Sequence, residues 1–573
     1  MLVVGVSGLV VFYLSVMAIG IWAGSKRGAH RVSGGELQGA LLAGRALPLP
    51  IGLFSLLATC MGAEALIGGI PEAVFVRGVV WCHFPIGYCL SFLIGGLCFS
   101  GPMRSADYET LLDPIQRRFG PRVGAFVSAP AILGDILRSA AVLSSLGSAL
   151  AVVLDMSWSL SVVGTAVFAA IYTLLGGLFS VAYTDAAQVS FVTLGLVLSA
   201  PFAASHPSAS RTLSDVDWVG EVTLGDPGRG PWHWLDALLL FALGAIPSQS
   251  YVQRVLATSD ARAARLLSFA ASGCCLVLAL PSMVIGVIAK ATDWEAVEGW
   301  RRNVTSGAEA RSVLPLVVRF MTPEWVSFIG LGAVSAAVMS SVDSSYLSAS
   351  SLLAKNVYRV ILRPKAPDPE VLWVLRCGVV ASAAASAALA LAAAPSIVPL
   401  ALFCADLVYV MVFPQLLLSV MWSDGANSYG AIAAALLGAT LRVLGDPELD
   451  VPALVRYPLF DDDSGTQGAP HRTIAMLAAL AAHVVASRAA TALLGGERPW
   501  LHPKYDCLGC FNQQQQKVPA IPGVLKVRFS DDPDEDLEVQ QSRCTRKAAA
   551  PPEDRCTRDG EAEGNHLRGD EEN

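Results

Sequence analysis

The chain is apolar for about twenty residues at a stretch, the length an α-helix needs to cross a bilayer, and it does this about thirteen times. The runs lie at 2–24, 47–70, 79–101, 123–154, 158–178, 182–203, 234–256, 266–290, 325–353, 372–394, 397–421, 427–444 and 471–493. The first has no basic residue ahead of it and outlasts a signal-peptide core, so it reads as a spanning helix. From residue 495 the pattern stops, and Gln513 to Gln516 and the acidic run Asp531 to Glu538 mark a polar tail. Such a segment has too little apolar surface to fold alone. The pattern predicts an all-α polytopic membrane domain over 1–494 and a disordered cytoplasmic tail over 495–573.

Composition agrees. Of 573 residues, 54% are hydrophobic and 15% charged, against roughly 25% charged in soluble domains. The net charge of −7 gathers no basic patch, which excludes a nucleic-acid partner. Most of the twelve cysteines, Cys82, Cys89 and Cys98 among them, sit inside apolar runs and behave as small hydrophobes. Cys507 and Cys510 form a lone CxxC without a second pair, which points to free or lipidated thiols rather than metal. The spans hold no nucleophile–base pair or metal cluster, so an enzyme is not expected.

Charge also orients the spans, because cytoplasmic loops carry the excess of Lys and Arg. Lys26, Arg27 and Arg31 follow the first run, Arg104, Arg117, Arg118 and Arg122 the third, Arg254, Arg262 and Arg265 the seventh, and Lys355, Arg359, Arg363 and Lys365 the ninth. Odd-numbered spans then end in the cytoplasm, with the N-terminus outside and the C-terminus inside. The loop after the eighth span carries Asn303 in an Asn-Val-Thr sequon, a glycosylation acceptor on the outer side.

Two spans contain residues that break helices. The second reads Ala58-Thr-Cys-Met-Gly62-Ala-Glu64 through to Gly68, Gly69 and Pro71, and the seventh reads Leu243-Gly244-Ala-Ile-Pro247-Ser248-Gln249. Irregular backbone at membrane depth survives only where it is buried or lines a wet cavity. Two interrupted helices at matched positions of two halves are the mark of inverted-repeat transporters, which bind solute and coupling ion between them. Small residues also serve ordinary helix packing, the competing reading for either segment alone.

The stretch Gly176-Gly-Leu-Phe-Ser-Val-Ala-Tyr-Thr184-Asp185-Ala-Ala-Gln188 resembles the signature of the sodium:solute symporter family. Pro85 to Tyr88, Gly101 to Ser105, Leu112 to Ile115, Gln253 to Leu256, Gly332 to Ser345 and Ala405 to Tyr409 resemble its choline-transporter branch. The likeness runs from about residue 8 to 495. It implies a LeuT-like core, an inverted five-plus-five helix repeat over about 47–203 and 234–421, in a multi-pass plasma-membrane protein working by alternating access. It implies sodium as coupling ion, with chloride a further candidate, a small organic solute as cargo, and no cofactor. The family's sodium site carries over to the carbonyls of Ala58, Met61 and Ala337 and the hydroxyls of Ser340 and Ser341. Asp185 and Ser344 match a second sodium site of some members, unless Asp185 only anchors a helix start. Oligomeric state stays open.

The resemblance implies choline as solute, yet the chain departs where choline would bind. A quaternary ammonium is recognised by aromatic faces, and the three Trp of the family's cage correspond here to Cys60, Arg138 and Ser248. Tyr88 is the matching aromatic that remains. A desolvated cation–π contact is worth about 2 kcal/mol, so losing three weakens choline binding by roughly a thousandfold or more. Arg138 in mid-span needs a partner, with Glu64 the candidate; direct solute contact and snorkelling to an interface are the alternatives. The candidate solute-binding residues are Cys60, Glu64, Tyr88, Arg138, Ser248 and the intramembrane carboxylate Asp343. Three readings follow: a symporter for choline or a related amine, a symporter for a zwitterionic or anionic solute, and a sensor that does not transport.

Overall fold

Nine helices among the described residues are long and apolar enough to cross a membrane, and one sharply bent pair makes up to ten. The structure is a computed structural model describing residues 12–24, 35–154, 157–209, 216–224, 226, 228–300, 304, 308–392, 397–422, 425–445, 454–462, 465–495, 502, 505–508, 510 and 511. The sequon at Asn303, the loop with Lys26, Arg27 and Arg31, and residues 512–573 of the tail lie outside them.

In chain order the principal helices are α1 (Phe12–Gly24), α2 (Gly35–Leu42), α3 (Leu49–Cys60), α4 (Ile70–Arg77), α5 (Val79–Ser105), α6 (Pro121–Leu154), α7 (Trp158–Leu174) and α8 (Gly176–Ala204). They continue as α9 (Pro231–Gly244), α10 (Gln249–Leu256), α11 (Ala261–Lys290), α12 (Glu324–Leu362), α13 (Asp368–Ala392), α14 (Ile397–Met421), α15 (Ser428–Leu444) and α16 (His471–Gly495). The bent pair is α2 with its 3₁₀ extension to Arg45, turned 92° against α3. The shorter apolar helices α1, α7 and α15 stand where the first, fifth and twelfth spans are expected.

Several expectations need correction. The second span does not end at residue 70: after Cys60 the chain runs through a wide π-helical turn, Gly62–Gly69, and continues as α4 to Arg77. Pro71 does not stop it: Gly69 and Ile70 before it are helical, and the Leu66 carbonyl five residues earlier accepts from the Ser282 hydroxyl at 2.7 Å. The fifth and sixth spans have no loop between them. They meet at Gly177, whose φ of 58° and ψ of −157° only glycine adopts readily, and an added Cβ there would stand 2.9 Å from the Ala40 carbonyl of α2. The all-α expectation misses a two-stranded antiparallel hairpin, Phe460–Asp461 with Thr466–Gln467, between α15 and α16.

Helix ends follow local chemistry. Asp260 accepts from the backbone N–H groups of Arg262 and Ala263 to start α11, and Asn427 does the same for α15 through Tyr429 and Gly430. The centre of the molecule is α12, whose apolar window is 72% buried against 22% for the peripheral α16. Its small residues, Ala333 to Ser351, let neighbouring backbones approach closely.

Candidate functional site

Both interruptions are real breaks. Met61 ends α3 at φ −103°, ψ 26°, and the chain leaves helical geometry again between Gly244 and Ser248, which sits in extended conformation before α10. Beside them lies a cavity of about 650 Å³ lined by Cys60, Glu64, Tyr88, Arg138 and Ser248. It runs past Phe84 and Phe241 to Arg77, Trp81 and Arg311, away from the end of the bundle that carries Arg104 and Lys355. Asp343, expected to touch solute, is not among the lining residues; it is fully buried and accepts a hydrogen bond from the Tyr172 hydroxyl.

Of the predicted sodium ligands, Ser341 and Ala337 of α12 meet the turn after α3, whereas the Ser340 hydroxyl donates to Asp185 at 2.5 Å. The Ser341 hydroxyl accepts from the Ala63 N–H at 3.0 Å and donates to the Ala337 carbonyl at 3.1 Å, which sets the turn after α3 directly on α12. Gly62 makes this possible, since a Cβ there would lie 2.2 Å from Ser341 Oγ and 3.6 Å from the Ala337 oxygen. Ala58, in the last turn of α3, and Met61, which ends it, are both buried. The donor set is carbonyl and hydroxyl oxygen, which suits a hard monovalent cation, in a cradle that one methyl group would fill.

Asp185 and Ser344 are held by a partner that the sequence reading placed elsewhere. Arg254, taken from sequence as a cytoplasmic loop charge, is fully buried in α10. Its guanidinium reaches Asp185 Oδ2 at 3.2 Å, Ser344 Oγ at 2.6 Å and the Ser55 hydroxyl at 3.2 Å. Asp185 also accepts from Ser55 at 2.7 Å and from Ser340 at 2.5 Å, and Ser344 bonds to Thr59 at 3.0 Å. The quoted Gln253-Arg-Val-Leu motif contained the signal: an arginine within a segment buried on every side has to face a carboxylate.

Arg138 pairs, as one of the sequence alternatives had it, with Glu64, Nε to Oε1 at 3.5 Å. It also faces Asp135 one turn earlier at 3.5 Å and donates to Ser345 Oγ at 2.6 Å. Asp135 was legible as an i,i+3 carboxylate and was missed. Two carboxylates against one guanidinium leave the inner part of the cavity with a formal balance of one negative charge. Ser345 in turn donates a hydrogen bond to the Ser341 carbonyl at 2.7 Å, so a hydrogen-bonded chain joins Arg138 in the cavity to the Ser341 backbone.

The sodium:solute symporter family model matches residues 41–438, which include every residue lining the cavity and the cradle beneath it. Over 511 residues the chain is 41% identical to the high-affinity choline transporter 1 of Drosophila melanogaster, covering 89% of this chain and 81% of that one. It is 40% identical to the high affinity choline transporter 1 of Homo sapiens over 515 residues, 88% and 87% of the two chains. In fold it resembles a Na⁺-coupled sialic acid symporter in a substrate-bound outward-open state, with a TM-score of 0.69 at 16% identity over 84% of this chain and 97% of that one. With the family's pattern matched from the end of α2 into α15, this polytopic membrane protein belongs to the sodium:solute symporter family.

Proposed function

We propose that the chain couples the inward sodium gradient to uptake of a small organic cation across the plasma membrane by alternating access, with choline, the solute that names its relatives, as first candidate. The observation that carries this reading is the contact of the interrupted helix α3–α4 with Ser341, where the Ala63 N–H, the Ser341 hydroxyl and the Ala337 carbonyl meet close to the cavity that Ala63 helps to line. Sodium is held by Ala58, Met61, Ala337, Ser340 and Ser341 in this proposal, and solute by the cavity lining. The chain crosses the bilayer thirteen times with an inverted five-plus-five core, N-terminus outside. On that orientation the cavity faces outward.

An anionic or zwitterionic solute is the weaker reading. Arg138, the group that would receive a carboxylate, is already engaged by Glu64, Asp135 and Ser345. A non-transporting sensor has no use for the cation cradle.

Uptake of radiolabelled choline and related amines into cells expressing the full chain, in sodium and in a sodium-free medium, tests the proposal. Sodium-dependent accumulation is expected, with chloride replacement as a separate arm. Solute entry that ignores sodium, from protein confirmed at the cell surface, refutes it.

A further inference from the structure

The cavity lacks the three rings of the choline cage but is not without aromatic surface. Phe84 and Tyr88 on α5 and Phe241 on α9 form a cluster along its wall, Phe84 and Phe241 with ring centroids 4.4 Å apart and Tyr88 6.2 Å from Phe241. Phe84 presses against the π-turn itself: a Cβ on Gly69 would meet its ring at 2.3 Å. This aromatic wall therefore begins within five residues of Glu64, on the outer side of the breaks.

The inner end is different in kind. At the positions of the former rings it offers a thiol, Cys60, and a hydroxyl, Ser248, beside Glu64 and Asp135. Glu64 Oε1 accepts no hydrogen bond; the Arg138 guanidinium stands 3.5 Å away without donating to it. These groups are acceptors for N–H donors, and a trimethylammonium head has none to give. A buried acceptor left without its donor costs affinity, so such a subsite discriminates strongly for an ammonium that carries N–H and against one that does not.

We infer that the cavity selects a primary or secondary ammonium with an apolar or aromatic tail over the quaternary choline. The head sits between Glu64, Asp135 and Ser248, and the tail lies on Phe84, Tyr88 and Phe241. Arg138 is a positioning residue that holds the two carboxylates. This inference rests on the symport reading above and narrows its cargo.

Whole-cell currents from cells expressing the full chain test it, with phenethylamine, ethanolamine and choline as probes in sodium and in sodium-free medium. Phenethylamine is expected to half-saturate the sodium-dependent current at a concentration at least tenfold below choline. In Phe241→Leu the ratio between phenethylamine and ethanolamine should collapse about tenfold, and Glu64→Gln should weaken both amines more than choline. Surface labelling and the charge movement evoked by sodium alone check that each variant is folded and delivered. If choline is the tightest of the three, or phenethylamine neither drives current nor competes with choline, the inference is overturned while sodium symport stands. Absence of sodium-dependent current with all three probes, from protein at the surface, overturns both.

Discussion

Arg254 and Asp185, 69 positions apart, form an ion pair at 3.2 Å in which neither side chain is exposed to solvent. The pair ties α10, just past the second break, to the third turn of α8, and its polar atoms are filled by Ser55, Ser340 and Ser344. Removing one partner leaves an uncompensated buried charge, which costs about 3–5 kcal/mol. Arg254→Ala is therefore expected to lose most of its surface expression and to melt well below the parent in detergent, whereas Asp185→Asn with Arg254→Gln recovers part of that loss. A double-mutant cycle on thermal stability measures it; additive single effects would show that the two charges do not depend on each other.

The chain from Arg138 through Ser345 to the Ser341 carbonyl joins the cavity to the proposed cation cradle in two hydrogen bonds. A hydrogen bond to a charged group contributes about 1.5–3 kcal/mol, so Ser345→Ala is expected to weaken solute binding roughly tenfold or more. If the chain transmits occupancy, the apparent sodium affinity falls with it, and Ser345→Thr restores both. Sodium titrations at low and saturating solute separate this from a simple loss of expression, which would change the maximum rate alone.

The cradle makes a sharper demand. Gly62 lies so close to Ser341 that a Cβ would stand 2.2 Å from its oxygen. Gly62→Ala forces the interrupted helix off α12, and sodium-dependent uptake should vanish while protein still reaches the surface. Ser341→Ala removes the proposed ligand and the hydrogen bond from the Ala63 N–H but adds no bulk, so its expected effect is smaller: apparent sodium affinity weaker by about tenfold, for a loss near 1–1.5 kcal/mol. Equal effects from the two variants would mean that the site is packing and nothing more.

Much of this was legible in the sequence because lipid imposes a simple rule: apolar runs of fixed length become spans, and glycine with proline inside them become breaks. The breaks at Met61 and at Gly244 to Ser248 fall where the residues placed them. Side-chain partners across helices were not legible, since they depend on rotation about each helix axis, which a uniformly apolar run does not encode. Thus Arg254 passed for a loop charge, Asp135 went unnoticed beside Arg138, and Asp343 was assigned to the cavity although it meets Tyr172 instead. Phe84 and Phe241 were hidden for the same reason. In sequence they are two aromatics among 21 phenylalanines, and their common wall appears only when α5 meets α9.

A second buried ionic cluster lies on the side of the bundle that faces α16. Asp406 of α14 accepts from Arg442 of α15 and, at 2.9 Å, from Arg472 of α16, and all three residues are buried. Neighbouring Asp236 of α9 accepts from the Thr473 N–H at 2.8 Å and its hydroxyl at 2.6 Å, which brings the helix before the second break into contact with the same α16. Asp406→Asn leaves two guanidinium groups facing a neutral amide, and the expected penalty is again about 3–5 kcal/mol. Thr473→Val removes only a neutral donor to Asp236 and should cost about 1–3 kcal/mol as the carboxylate loses a partner. If the cluster anchors α9 during transport, Thr473→Val changes the turnover rate at unaltered sodium affinity, because it lies outside the cation cradle. If it serves the fold alone, thermal stability falls and the turnover of the surviving protein is unchanged, so measuring both on one sample decides between them.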